Sequence, residues 1–162
     1  MTNPVVVVGA GPAGLLLGHL LHAEGVPCVV IERQTPDYIL GRIRAGVLET
    51  VTTDLMRRLG INARLDAEGL VEGGFNLADG HRRVRIDVAA LTGRSVTVYG
   101  QTELTRDLIA AADERGLPVV YGAKDVALHD LDSSAPFVTF TKDGEGAVSL
   151  MRTALHRMHL VL

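Results

Sequence analysis

The chain has 162 residues, of which 47% are hydrophobic and 22% charged, with a net charge of −3. That length suits one domain with a real core, and the charge excludes a general affinity for nucleic acid or anionic membranes. The single Cys28 excludes an internal disulfide framework, no stretch approaches the ~20 apolar residues that span a bilayer, and the N-terminus lacks a basic signal-type region, so a reducing, cytoplasmic setting is expected.

The chain opens on "VVVVGAGPAGLLLGHLLHAEG". Val5 to Val8 form a fully apolar run, as expected of a strand buried on both faces of a parallel sheet. Gly9, Gly11 and Gly14 follow as G-x-G-x-x-G, and Leu15, Leu16, Leu20 and Leu21 then recur at helical spacing until Gly25. "PCVVIER" is a second strand, with Glu32 standing 23 positions after Gly9. A strand, a glycine turn, a helix, a strand and a closing acid make up the dinucleotide fingerprint in its required context. Gly9 permits the tight turn, Gly11 leaves room for a pyrophosphate at the backbone, and Gly14 lets the helix pack close. Free N–H groups and the positive helix end face the phosphates. Glu32 can accept from ribose hydroxyls and would repel a 2′-phosphate, which argues against NADP in this slot. The fingerprint serves NAD and FAD alike.

His19 and His22 lie three apart on the first helix, with no third ligand placed to complete a metal site, and read as ordinary helix residues. "DYILGRIRAGVLE" (37–49) is loop-like and carries Arg42 and Arg44, two forked donors that folding does not ask for. The bulk of the arginine excess, fourteen Arg to two Lys, reads as coding bias. "AGVLETVTTDLMRRLG" reads as a helix with an apolar stripe of Val47, Leu48, Val51, Leu55, Met56 and Leu59, capped by Gly60. Arg57 and Arg58 form its solvated last turn. "EGGFNLADGHRRVRIDV" reads as a hairpin around Asp79-Gly80 with Val84, Ile86 and Val88 on one face.

"SVTVYGQTELTRDLIAAADERG" reads as a strand, a turn and a helix capped by Thr102, with Leu104, Leu108 and Ile109 facing the core. Gln101 stands at the strand-to-helix turn, where α/β folds place ligand contacts. "PVVYG", "KDVALHDL" and "PFVTFTKDG" are three more strands, the last two joined by "DSSAP". The expected fold is therefore α/β: a Rossmann-like domain with a parallel sheet, a βαβ start and an added antiparallel hairpin.

"VVGAGPAGLLLGHLLHAEG", "VIERQTPDYILGRIRAGVLE" and "VTVYGQTELTRDL" together resemble the N-terminal part of the 4-hydroxybenzoate 3-monooxygenase family, single-component FAD- and NADPH-dependent aromatic hydroxylases. The segment Glu32–Glu49 is more diagnostic than the glycine motif. The resemblance implies that Gly9, Gly11 and Gly14 hold the FAD pyrophosphate and that Glu32 binds the adenosine ribose. It implies that Arg44, the backbone around Val47, and Gln101 contact FAD, with Arg33 also at the cofactor site. Tyr38, Arg42 and Arg44 match positions that handle NADPH, a transient visitor in this family. The implied reaction hydroxylates the small-molecule substrate 4-hydroxybenzoate to 3,4-dihydroxybenzoate with O2 and NADPH-reduced flavin.

The resemblance runs to about residue 145, which sets an expected partial FAD-binding domain over 1–145 and a divergent tail over 146–162. That tail, "GAVSLMRTALHRMHLVL", holds no Asp or Glu. A frameshift or truncation is the expectation for it, against a genuine short helix through Leu150, Ala154, Leu155, Met158 and Leu162. The family's substrate-binding part has no counterpart here, so this chain is expected to be a fragment inactive alone. The alternative is a stand-alone nucleotide-binding module or small NAD(P)-linked reductase.

Overall fold

A computed structural model of the chain describes residues 4–42, 44–133, 136–142 and, as backbone, 145–150. In chain order the elements are β1 (Val5–Val8), α1 (Pro12–Ala23), β2 (Cys28–Glu32), α2 (Pro36–Gly41), β3 (Val47–Glu49), α3 (Thr50–Arg58), α4 (Ala63–Glu68), β4 (Leu70–Glu72), β5 (Gly74–Ala78), β6 (Arg83–Asp87), α5 (Val88–Thr92), β7 (Val96–Val98), α6 (Gln101–Arg115), β8 (Val119–Tyr121), β9 (Lys124–His129), β10 (Phe137–Lys142) and β11 (Glu145–Leu150). They group into two compact units, residues 1–41 with 108–162, and residues 42–107.

The first unit is built on the expected βαβ start. β1 and β2 run parallel with Val5 opposite Cys28, and β8 joins parallel on the far side of β2. β2 alternates its side chains between two covers. Val29 and Ile31 pack with Ala123, Val138 and Phe140, that is, against the antiparallel sheet β11-β10-β9. Cys28 packs the other way, with Ala112 and Leu117 at the end of α6. Two covers explain why β2 is apolar without alternation. β1 is only partly the buried strand expected of it: Val7 is buried but Val8 is 51% exposed, because it borders an open cleft.

His19, read as an ordinary helix residue, lies on α1 and is fully buried. Its Nε2–H donates to the Leu108 carbonyl at 2.9 Å, while Nδ1 has no partner among the described residues. Burial pushes its pKa below the usual 6.5, the Leu108 carbonyl pulls the other way, and Arg115 and His22 add repulsion. The unfolded chain therefore binds this proton more readily than the folded one. Stability is intact above the unfolded pKa of 6.5 and falls as pH drops below it toward the folded pKa. Between pH 7 and 5 the melting temperature of the native chain should fall more steeply than that of His19→Gln, which keeps a donor for Leu108. Parallel slopes would disprove the assignment.

The second unit shows the larger departures. The stretch 45–60 is not one helix: Val47–Glu49 form β3, and α3 starts only at Thr50. β3 pairs antiparallel with β7, Val47 opposite Val98, and β4 pairs with the other edge of β7. Val47 and Val51 are consequently exposed, while Leu48, Thr53, Met56 and Leu59 are buried. Gly60 ends α3 at φ +65°, its N–H donating to the Arg57 carbonyl, as expected of a left-handed cap. Arg57 is not simply solvated, since it pairs with Asp66 at 2.8 Å and Asp54 at 3.4 Å.

The β5–β6 hairpin forms as expected, with Asp79 accepting from the His81 and Arg82 amides in the turn, but Val88 opens α5 instead of extending β6. In α6 the first helical bond runs from Leu104 N–H to the Gly100 carbonyl, so Thr102 lies inside the helix rather than capping it. Leu104 and Leu108 are buried as expected. β11 pairs antiparallel with β10 across the expected tail boundary, and Leu150, the first position of the alternative tail helix, ends that strand; the helix's other positions, Ala154 to Leu162, lie outside the described residues. No helix among the described residues is long and apolar enough to cross a membrane.

Candidate functional site

The glycine turn between β1 and α1 is the structural centre of the first unit's site. Gly9 has φ +107°, a conformation closed to other residues, and its N–H donates to the Ile31 carbonyl at 2.7 Å. The three glycines then do different work. A Cβ at Gly14 would lie 1.9 Å from the Gly9 carbonyl oxygen, so the turn folds back onto the helix only without a side chain there. A Cβ at Gly11 would meet nothing within 4 Å: the space in front of that backbone is open. α1 begins with Pro12, which has no N–H to leave unsatisfied, and Gly11 caps it without any side-chain bond. The first-turn amides of α1 are thus free of a capping side chain and available to an anion.

Glu32 closes the turn from β2. Its Oε2 accepts the Ala10 N–H at 2.9 Å, and its Oε1 accepts the Gln34 N–H at 2.9 Å. The acid therefore ties the glycine turn to the end of β2, a role its spacing alone did not reveal. Each oxygen keeps a further lone pair for a ribose hydroxyl. Beside it opens a cleft of about 640 Å³, bordered by Val8, Gly9, Glu32, Arg33, Gln34 and the stretch Ala123–Val126. That volume lies in the range of small-molecule and cofactor sites. Sequence reading took Lys124–Leu131 only as a strand and missed its first residues as part of this wall. The left-handed Asp125, φ +52°, marks the departure from a plain strand.

Tyr38 is half exposed and lies on α2, so the first part of the expected loop, residues 37–41, is helical. Thr35 starts it, its Oγ1 accepting the Tyr38 N–H at 3.3 Å. Pro36 stands at the first helical position, where its ring is pre-set.

The remaining predicted residues belong to the second unit. There the fold brings Gly46 and Val47, next to Arg44, against β7 and the turn that leads into α6. The Tyr99 N–H donates to the Gly46 carbonyl at 2.8 Å, and a Cβ on Gly46 would lie 2.8 Å from the Gly100 Cα. Gln101, half-buried, is the next residue and opens α6. Two segments more than fifty positions apart in sequence thus meet through two glycines that sequence reading did not single out. Arg42 and Arg44 are exposed and, among the described residues, without a hydrogen-bond or ion-pair partner.

The start of α6 is held by a polar network. Arg64 pairs with Glu103 and, at 2.6 Å, with Asp107, while Arg106 also reaches Glu103. The buried Tyr99 donates its hydroxyl to Asp107 at 2.5 Å. Burial and then the Asp107 carboxylate push the Tyr99 phenol well above its usual pKa, so it remains a donor. Among the described residues no cluster of His, Cys, Asp or Glu could hold a metal ion.

Residues 2–150 match the family described as FAD binding domain. The chain is 44% identical over 145 residues to p-hydroxybenzoate hydroxylase of Acinetobacter baylyi, which covers 89% of this chain and 36% of that protein. It is 30% identical over 108 residues to pentachlorophenol 4-monooxygenase of Sphingobium chlorophenolicum, 64% of this chain and 20% of the relative. Among solved structures, CabE, an aromatic hydroxylase from angucycline biosynthesis, superposes with a TM-score of 0.67 at 29% identity, covering 93% of this chain and 29% of that one. The chain therefore spans about a third or less of the length of these relatives.

Proposed function

The chain belongs to the FAD-binding-domain family, and on that premise we propose that it holds FAD as the cofactor-binding part of an aromatic-ring hydroxylase. The observation that carries this reading is the turn itself: Gly11 open to an incoming group, and Glu32 locked to the Ala10 amide at the edge of a cleft of cofactor size. The main chain of Gly9–Gly14 and the N-terminus of α1 hold the pyrophosphate. Glu32 accepts from the adenosine ribose, and the cleft beside it, with Arg33, takes the adenine end. Arg44, the Val47 backbone and Gln101 are further FAD contacts on the strength of the family resemblance. Tyr38, Arg42 and Arg44 handle NADPH on the same ground, and exposed, uncommitted guanidiniums suit an anion that comes and goes. When bound, FAD supplies hydride acceptance and oxygen activation, chemistry that no side chain provides.

The relative of 44% identity is a p-hydroxybenzoate hydroxylase, which supports 4-hydroxybenzoate as the substrate; 3,4-dihydroxybenzoate as the product is proposed on the family resemblance, and the cytoplasm on the single Cys28. Since this chain spans 36% of that relative, ring hydroxylation is proposed for the whole hydroxylase and not for the 162 residues alone. Positioning errors of an ångström can cost about 10²-fold in rate, so a stretch matching 36% of the relative is not expected to turn over alone.

Flavin-fluorescence titration of the purified chain tests the first part: FAD should bind, weakly, and more tightly than NAD or NADP. Tighter NAD binding would favour a small NAD-linked module instead. Chromatography of a reaction supplied with NADPH, FAD, O2 and 4-hydroxybenzoate tests the second. No 3,4-dihydroxybenzoate should form, and turnover on the order of 1 per second or faster would overturn this reading of the chain.

A further inference from the structure

Tyr99 stands two positions before Gln101 and is anchored twice. Its N–H donates to the Gly46 carbonyl at 2.8 Å, which ties it to the segment leading into Val47. Its buried phenol donates to Asp107 Oδ2 at 2.5 Å, more than a turn into α6. Asp107 Oδ1 accepts in turn from Arg64 of α4 at 2.6 Å, and the same guanidinium reaches Glu103. Gly100, between Tyr99 and the helix, sets no direction by packing: a Cβ there would meet nothing nearer than Glu103 Cγ at 3.9 Å.

The buried Leu104 and Leu108 hold α6 by its apolar side, but burial is non-directional and leaves the helix free to roll. Hydrogen bonds to a second face stop that roll. Glu103 and Asp107, one turn apart, form this face, and Gln101 lies roughly 140° round the helix from their mean direction. The network therefore grips α6 away from Gln101, whose half-buried side chain has no hydrogen-bond partner among the described residues. In the proposed reading the glycine turn and Glu32 take the pyrophosphate and the adenosine, which leaves the flavin half of FAD to Gln101.

We propose that Tyr99 is a positioning residue for FAD: its phenol, through Asp107 and Arg64, fixes the roll of the first turn of α6 and so aims the Gln101 amide at the flavin half of the cofactor. The proposal rests on the reading of Gln101 as an FAD contact. It gives Tyr99 itself no contact with the cofactor.

Calorimetric titration of the chain with FAD and with ADP, which lacks the flavin half, tests it. Tyr99→Phe keeps the ring and removes only the hydroxyl. It should lose about fivefold in FAD affinity, the worth of one hydrogen bond, and keep ADP affinity within about twofold. Gln101→Ala should lose about fivefold or more in FAD affinity. Adding Tyr99→Phe to Gln101→Ala should cost nothing further beyond about twofold, because the group being aimed is gone. If Tyr99→Phe fails to fold, Arg64→Gln releases Asp107 from α4 at a partly exposed position and should show the same pattern, with about a threefold loss for FAD.

Equal losses for FAD and ADP in Tyr99→Phe, or in Arg64→Gln where the former is unfolded, overturn the proposal and make the network structural only. So does full FAD affinity in that variant, or losses that multiply in the double variant. Gln101→Ala with native FAD affinity removes the contact and the proposal with it, while FAD binding lost in Gly11→Val would still uphold the glycine-turn reading. Binding of neither FAD nor ADP by the native chain overturns both.

Discussion

Gly14→Ala is expected to destabilise the first unit by ~3 kcal/mol, at the upper end of what overpacking costs. The added Cβ would lie 1.9 Å from the Gly9 carbonyl oxygen and 3.1 Å from its carbon. Both are backbone atoms, so no rotamer change relieves the clash. The Gly9 peptide is fixed from both sides: its N–H is bonded to Ile31, and φ +107° leaves it no alternative residue-like geometry. Relief must come from moving α1 off β1. For a chain of this size ~1 kcal/mol shifts the melting temperature by roughly 2–4 °C, so a fall of about 6–12 °C is expected in a circular-dichroism melt. A melt within 2 °C or so of the native value would mean that the turn yields more easily than its bonding indicates.

The parts of the fold that were legible in the sequence are those written in local chemistry. The run Val5–Val8, the glycine turn, the α1 stripe and Cys28–Glu32 state a βαβ unit within 32 residues, and the structure has it in that register. β3 was not legible for an equally physical reason. Val47 and Leu48 fit the helical stripe that continues through Val51 and Leu55, and nothing nearby contradicts it. They form a strand because β7, some fifty residues on, offers an edge, and because Gly46 lets the chain approach Tyr99 and Gly100 closely. Short strands chosen by a distant partner leave little trace in their own sequence. α2, by contrast, did carry a signal: Thr35, then Pro36 and Asp37, is a helix start, and its six residues are simply too few to show periodicity.

The same distinction runs through the site. Glu32 was placed by spacing, yet its bond to the Ala10 amide makes it a structural tie as well as a ribose acceptor. Val47 and Gln101 were named separately, and their segments meet through a fold contact between Gly46 and the β7–α6 turn. His19 read as an ordinary helix residue because a histidine three before His22 resembles any polar helix position. Only the burial of α1 beneath α6 distinguishes the two. The wall at Lys124–Val126 stayed hidden because an aspartate in a strand-like run gives no sign of a left-handed backbone.

Gly11→Val should remove FAD binding, by on the order of 100-fold or more, while leaving the melting temperature nearly where it was. The two glycines three positions apart make this a clean separation. At Gly14 the missing side chain is needed by the fold; at Gly11 the fold has no use for the space, since an added Cβ meets nothing within 4 Å. The backbone there, φ −70° and ψ 175°, is extended and suits a β-branched residue. A surface change with no clash costs within about 0.5 kcal/mol. The same three carbons fill the approach to the first amides of α1. A pyrophosphate held off those amides loses hydrogen bonds to a charged group worth about 1.5–3 kcal/mol each, and two lost bonds already exceed a factor of 100. Gly11→Ala, with one carbon in place of three, should fall between the native chain and the valine variant. Flavin fluorescence and a thermal melt on the same preparations decide the matter. Full FAD affinity in Gly11→Val would mean that the pyrophosphate does not lie on this turn, and the proposed cofactor site would have to be sought elsewhere in the chain.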